Sequence, residues 1–69
     1  MSLEFETGLP SIKLLQTYQR DKRKVEVKLV TGDAVVGTIS WQDPLCLCID
    51  AEGEPVLIWR SALTFIKAV

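Results

Sequence analysis

Histidine is absent from this 69-residue chain, and cysteine occurs only as Cys46 and Cys48. A Cys/His zinc centre therefore lacks ligands, and two thiols two positions apart cannot form a disulfide framework. No nucleophile–base pair and no phosphate-cradling glycine loop can be assembled, so the sequence argues against an enzyme and calls for no cofactor and no metal. No apolar run reaches the roughly 18 residues that a membrane-spanning helix needs. The start, Met1 to Glu6, is acidic and has no apolar stretch of the kind a secretory signal carries. Unpaired thiols without an export signal point to the cytoplasm.

What is present is apolar for so short a chain, with 48% hydrophobic residues. A domain of this size buries only ~60% of the surface that its unfolded chain exposes. Its core rarely contributes more than about 3–5 kcal/mol, so small scaffolds need a staple. Disulfides and metal are excluded, which leaves oligomerisation. The net charge of −1 does not announce a nucleic-acid binder, but its distribution is uneven. Arg20, Lys22, Arg23, Lys24 and Lys28 cluster in the first half, whereas Asp43, Asp50, Glu52 and Glu54 dominate the stretch from 43 to 54.

Residues 1–7 are expected to form a flexible leader before a single domain over 8–69. Pro10 suits a first helical position, and Ile12, Leu15 and Tyr18 follow at helical spacing, which predicts a helix over about 10–21. From Val25 the period falls to two, and Val25, Val27 and Leu29 alternate with Glu26 and Lys28. Thr31-Gly32-Asp33 is a turn. The second strand, Ala34 to Trp41, places Val35, Gly37, Ile39 and Trp41 on one face, with Gly37 as the point of a sharp bend. Leu45 to Asp50 is apolar on both faces, as expected inside a curled sheet. Val56 to Trp59 and Leu63 to Lys67 complete strands spanning about 25–67. The fold class expected is mainly β with one N-terminal helix, a five-stranded, strongly bent antiparallel open barrel whose last two strands are its edges. Val56 to Trp59 carries neither charge nor Pro, so this edge invites pairing with another copy, and edge-to-edge pairing closes into a ring when the rotation permits.

These residues resemble a known family. The helix, Val25 to Asp33, the Gly37 strand and Trp41-Gln42-Asp43 resemble the first motif of Sm-like proteins, and Ile58 to Leu63 occupies the place of the second. Leu9-Pro10-Ser11-Ile12, Trp41-Gln42-Asp43-Pro44 and Ile58-Trp59 look like the cyanobacterial branch of Hfq, the bacterial Sm-like RNA chaperones, over about residues 8–67. The resemblance implies a homohexameric, SH3-like ring that binds single-stranded RNA as a post-transcriptional regulator. On its helix-side pore face the matching positions are Gln42, Asp43, Leu45, Trp59 and Arg60, with Pro44 between them. On the opposite face they are Lys28, Gly32 and Thr64, with Val36, and on the rim Arg20, Lys22 and Arg23.

Departures from the family pattern bear on the ligand more than on the fold. Trp59-Arg60 stands where a Lys-His pair is usual, and Leu45 replaces a stacking aromatic. Lys28 occupies an aromatic position, and apolar Val36 a polar one. Trp59 can stack a base or fill a subunit junction; Arg60 can attract phosphate or pair with Asp43. The Arg20–Lys24 run can track phosphates or complement the helix dipole. Cys46 and Cys48 read as small core residues, and Asp43 as a turn residue. A ring with weak RNA affinity that docks a protein partner is the alternative function.

Overall fold

Val25 and Val27 are fully buried while Lys24 is exposed, so the first strand has the two-residue period of its sequence. In the computed structural model, which describes residues 8–69, helix α1 (Pro10–Arg20) precedes β1 (Lys24–Leu29), β2 (Ala34–Gln42), β3 (Cys46–Ala51) and β4 (Glu54–Trp59). A single 3₁₀ turn, Arg60–Ala62, then leads into β5 (Leu63–Ala68). The leader expected at 1–7 lies outside the described residues.

Local chemistry explains the element ends. Pro10 opens α1. At its other end Arg23 N–H donates to the Tyr18 carbonyl at 2.9 Å and Lys22 N–H to that of Gln19 at 3.3 Å. These two bonds form a Schellman cap, with Lys22 at φ 52° where glycine is usual. Glu52 and Gly53, both at positive φ, form the two-residue β3–β4 hairpin, and the Asp50 carboxylate accepts the Gly53 N–H at 2.8 Å.

The strands form one antiparallel sheet in the order β4-β3-β2-β1-β5. Val25, Val27, Ile39, Leu47, Ile49 and Ile58 make the core on one face, and Leu15 and Tyr18 of α1 pack against it. Each fully buried aliphatic side chain contributes about 1.5–3 kcal/mol relative to exposure, so this cluster is the main source of stability.

The barrel expectation is corrected here. The sheet is neither closed nor strongly curled into a barrel, and β4 and β5 lie at its two ends without pairing to each other. Both features that suggested curling have other causes. Strand β3 is apolar on both faces because Leu47 and Ile49 enter the core while Cys46 and Cys48 are cross-strand neighbours of Trp59, Leu57 and Trp41 on the other face. Gly37 makes room for the adjacent strand: a Cβ there would collide with the Asp50 carbonyl and stand 2.9 Å from Ile49 Cγ2.

A further correction concerns Trp41. The β2–β3 register shifts between Ile39 and Trp41, so Ile39 pairs with Ile49 but Trp41 pairs with Cys48 and Gln42 with Leu47. This bulge at Ser40 moves Trp41 to the face away from α1 and brings Gln42 onto the helix side.

Backbone bonds also show which edge groups are open. Arg60 N–H donates to Leu45 O at 2.8 Å, which makes Leu45–Arg60 a hydrogen-bonded pair. Alternation along the antiparallel ladder then directs Ile58 inward to β3 and leaves the peptide groups of Leu57 and Trp59 pointing outward. Val69 N–H to Lys24 O at 3.0 Å sets the same alternation on β5, with Ile66 and Ala68 outward.

Gly37→Ala should destabilise the fold by about 1–3 kcal/mol, the usual cost of forcing extra volume into a packed site. Chemical denaturation should show a lowered midpoint. An unchanged midpoint would mean that β2 and β3 can separate freely at Gly37.

Candidate nucleic-acid interface

On the helix side of the sheet, the turn from Gln42 to Cys46 is built around Asp43. Its Oδ1 accepts the N–H of Leu45 at 2.9 Å and of Cys46 at 2.7 Å, while Asp43 N–H donates to Cys46 O at 3.0 Å. This is an Asx-type turn, and Asp is suited to it because a short carboxylate reaches amides two and three residues ahead. The turn holds Leu45 out into solvent.

Arg60 arrives from the end of β4. Its Nε donates to the Asp43 carbonyl oxygen and its Nη2 to Gln42 Oε1, both at 2.8 Å. Through Nε, Arg60 thus reaches the backbone oxygen of Asp43. Gln42 Nε2 in turn donates to Gln19 Oε1 of α1 at 3.1 Å. The chain Gln19–Gln42–Arg60 fixes a guanidinium, a planar phosphate-binding group, between helix and turn. Partial burial lowers the Arg60 pKa from its ordinary value, and the Asp43 charge opposes that shift. Burial, with Asp43 adding to it, raises the Cys46 thiol pKa, so Cys46 is less readily ionised than an ordinary thiol, and both cysteines are buried and unbridged.

Gln42, Asp43, Leu45 and Arg60 therefore come together, but Trp59 does not join them. It pairs with Cys46 on the face away from α1, where Trp41 and Leu57 are also exposed. On that face Lys28 lies on β1. Gly32 stands in the β1–β2 turn at φ 96°, and Thr64 is the residue skipped where the β1–β5 register shifts. Arg20, Lys22 and Arg23 gather at the end of α1, with Arg20 bonded to Asp21 at 3.1 Å. A cleft of about 300 Å³ opens there, lined by Gln16, Gln19, Arg20, Lys22, Ser40 and Asp50 among others.

Two features were not reached by reading the sequence. One is the Gln19 link, since a glutamine on a helix carries no signal of its own. The other is Phe65, an exposed aromatic on β5 opposite Lys28, whose strand alternation was a usable signal. Among the described residues no cluster of His, Cys, Asp or Glu could hold a metal ion, and no helix is long and apolar enough to cross a membrane.

The family described as Hfq related matches residues 9–68. The chain belongs to the Hfq family. A crystal structure of an Hfq protein from Anabaena sp. is 42% identical, with a TM-score of 0.83, covering 90% of this chain and 100% of that one. This likeness supports the cyanobacterial branch. The RNA-binding protein Hfq of Clostridium botulinum (strain Eklund 17B / Type B) is 31% identical over 52 residues, 75% of this chain and 68% of the relative. A crystal structure of the pleiotropic translational regulator Hfq, at 22% identity and TM-score 0.79, covers 86% of this chain and 97% of its own and shares the fold.

Asp43→Ala leaves two turn amides without their acceptor and should cost about 1–3 kcal/mol, with Asp43→Asn retaining much of the stability. Thermal melting of both variants checks this. Equal loss in the two would mean that the turn depends on charge rather than on the acceptor oxygen.

Proposed function

We propose that this Hfq-family chain joins copies of itself through its two open strand edges into a homohexameric ring and binds single-stranded RNA as a chaperone of RNA pairing. Membership of the family over residues 9–68 carries this reading, and the relative from C. botulinum is named an RNA-binding protein. Sm-like RNA chaperones of this kind need no nucleotide hydrolysis. Holding two strands on one ring raises their local concentration, and pairing does the rest.

Within the ring, the helix-side face takes uridine-rich RNA. Arg60, held by Gln42 and the Asp43 carbonyl, attracts phosphate, and Leu45 offers apolar contact to a base. Repetition around the ring turns a single guanidinium into a basic girdle. Gln42 and Asp43 position these groups. The rim residues Arg20, Lys22 and Arg23 add a sequence-independent phosphate track, with Lys22 fixed at its positive φ by the helix cap. Lys28, Gly32 and Thr64 serve the opposite face. The cytoplasm is the compartment this reading requires.

A protein-docking role is the second reading, favoured by the exposed side chains of Trp41, Leu57 and Trp59 on one sheet face. Trp59 belongs to that surface rather than to the Arg60 pocket.

Titration with oligo(U) and oligo(A) at two salt concentrations separates these readings. Arg60→Ala should weaken oligo(U) binding by about tenfold, on the scale of about 1.5–3 kcal/mol for a hydrogen bond to a charged group, and should lower the salt slope. Lys28→Ala should leave oligo(U) binding nearly unchanged. If Lys28→Ala is the more damaging change for oligo(U), the assignment of the helix-side face is wrong. If neither oligonucleotide binds the unaltered chain, the docking reading replaces the RNA reading.

A further inference from the structure

Leu57 and Trp59 of β4 are 46% and 55% exposed, although both are large and apolar. At the opposite end of the sheet, Ile66 and Ala68 of β5 are only half-buried, although Ile66 packs against the core. The peptide groups of all four point out of the sheet edges. Their side chains, however, occupy different faces. Ile58 enters the core, so its chain neighbours Leu57 and Trp59 project from the face turned away from α1. Ile66 stands opposite buried Val27, so Ile66 and Ala68 project on the helix side.

In an antiparallel pair, residues that exchange hydrogen bonds stand directly opposite each other, and their side chains share one face. Joining the β4 edge to the β5 edge of the next copy in this sense therefore inverts the faces. The outer face of one copy, at Leu57 and Trp59, runs on into the helix side of the next, at Ile66 and Ala68. A parallel join keeps the faces. It would set Leu57 and Trp59 beside Phe65 and Lys67, on the face that carries no helix, and bring an ammonium group to the seam. Every ladder within this sheet is antiparallel, and antiparallel pairing is the slightly more stable kind per residue. The antiparallel join also brings together four side chains without a charge among them.

We propose that Leu57 and Trp59 of each copy complete the core of the next, packing on its Ile66 and Ala68 where the helix-side core ends at the β5 edge. The inference rests on the edge-joined ring proposed above and deepens it. It fixes the direction of the joint and gives Trp59 an occupant for its surface, a second copy of this chain. The two side chains are thereby removed from the surface open to other proteins, and Trp41 is left as the tryptophan of that surface.

The test uses the full chain with Trp41→Phe, which leaves Trp59 as the sole indole. In the assembled form Trp59 should emit at the short wavelengths of a buried indole and resist quenching by acrylamide, despite its exposure in the single chain. Trp59→Ser should raise the concentration at which the assembly dissociates by about thirtyfold or more, the usual scale for truncating a tryptophan anchor at an interface. Trp59→Phe should recover most of that loss. An assembled chain whose Trp59 is quenched as freely as a solvated indole overturns the proposal, and in that case the ring reading stands. So does Trp59→Ser that assembles as tightly as the unaltered chain. An unaltered chain that sediments only as a monomer removes both the proposal and the ring.

Discussion

The unpaired outer edges of β4 and β5 are the constraint on which the rest of this structure depends. Each end of the sheet presents open peptide groups, at Leu57 and Trp59 on one side and at Ile66 and Ala68 on the other. Pro55 lies at an outward position of β4 and has no N–H to donate, but among the described residues nothing comparable blunts Leu57 and Trp59. A chain this small has a modest core, and each ladder bond adds about 0.5–1.5 kcal/mol. Joining the β4 edge of one copy to the β5 edge of the next satisfies both ends at once. In that account, assembly completes the fold rather than decorating it.

The sheet's two faces then divide the work. The bulge at Ser40 decides the division, because it sends Trp41 away from the helix and brings Gln42 toward it. Gln42 can consequently bridge Gln19 and Arg60, and the guanidinium is held where an unsupported arginine would sample many rotamers. The other face collects Trp41, Leu57, Trp59 and Phe65, with Lys28 and Lys67 beside the last. One face is organised by a polar network and the other by aromatic surface, so they suit different ligands.

The helix and β1 were legible because their apolar residues keep a clean period, the later strands because short apolar runs lie between turn residues, and the Thr31–Asp33 turn because Gly32 takes the positive φ that it advertises. The barrel was not. A strand apolar on both faces looks the same whether the sheet curls around it or whether large side chains cover its second face, and Cys46 and Cys48 sit in the latter setting. Trp41 was assigned to the wrong face because a one-residue bulge inverts the alternation beyond it without leaving a mark in the composition. Asp43 was readable as a turn residue, and its carboxylate accepts the amides of Leu45 and Cys46 while its charge also acts on Arg60. Arg60 also reaches the Asp43 backbone oxygen, a partner that side-chain chemistry alone does not suggest.

Native-state amide hydrogen exchange tests the central claim most directly, because the outward amides of Leu57, Trp59, Ile66 and Ala68 have no acceptor within the chain's own sheet. Edge-to-edge assembly predicts that these four exchange slowly, at rates approaching that of the inward amide of Ile58. Exchange at the rate of open, solvated strand edges, with Ile58 still protected, would show that β4 and β5 do not join copies of this chain and would contradict the account.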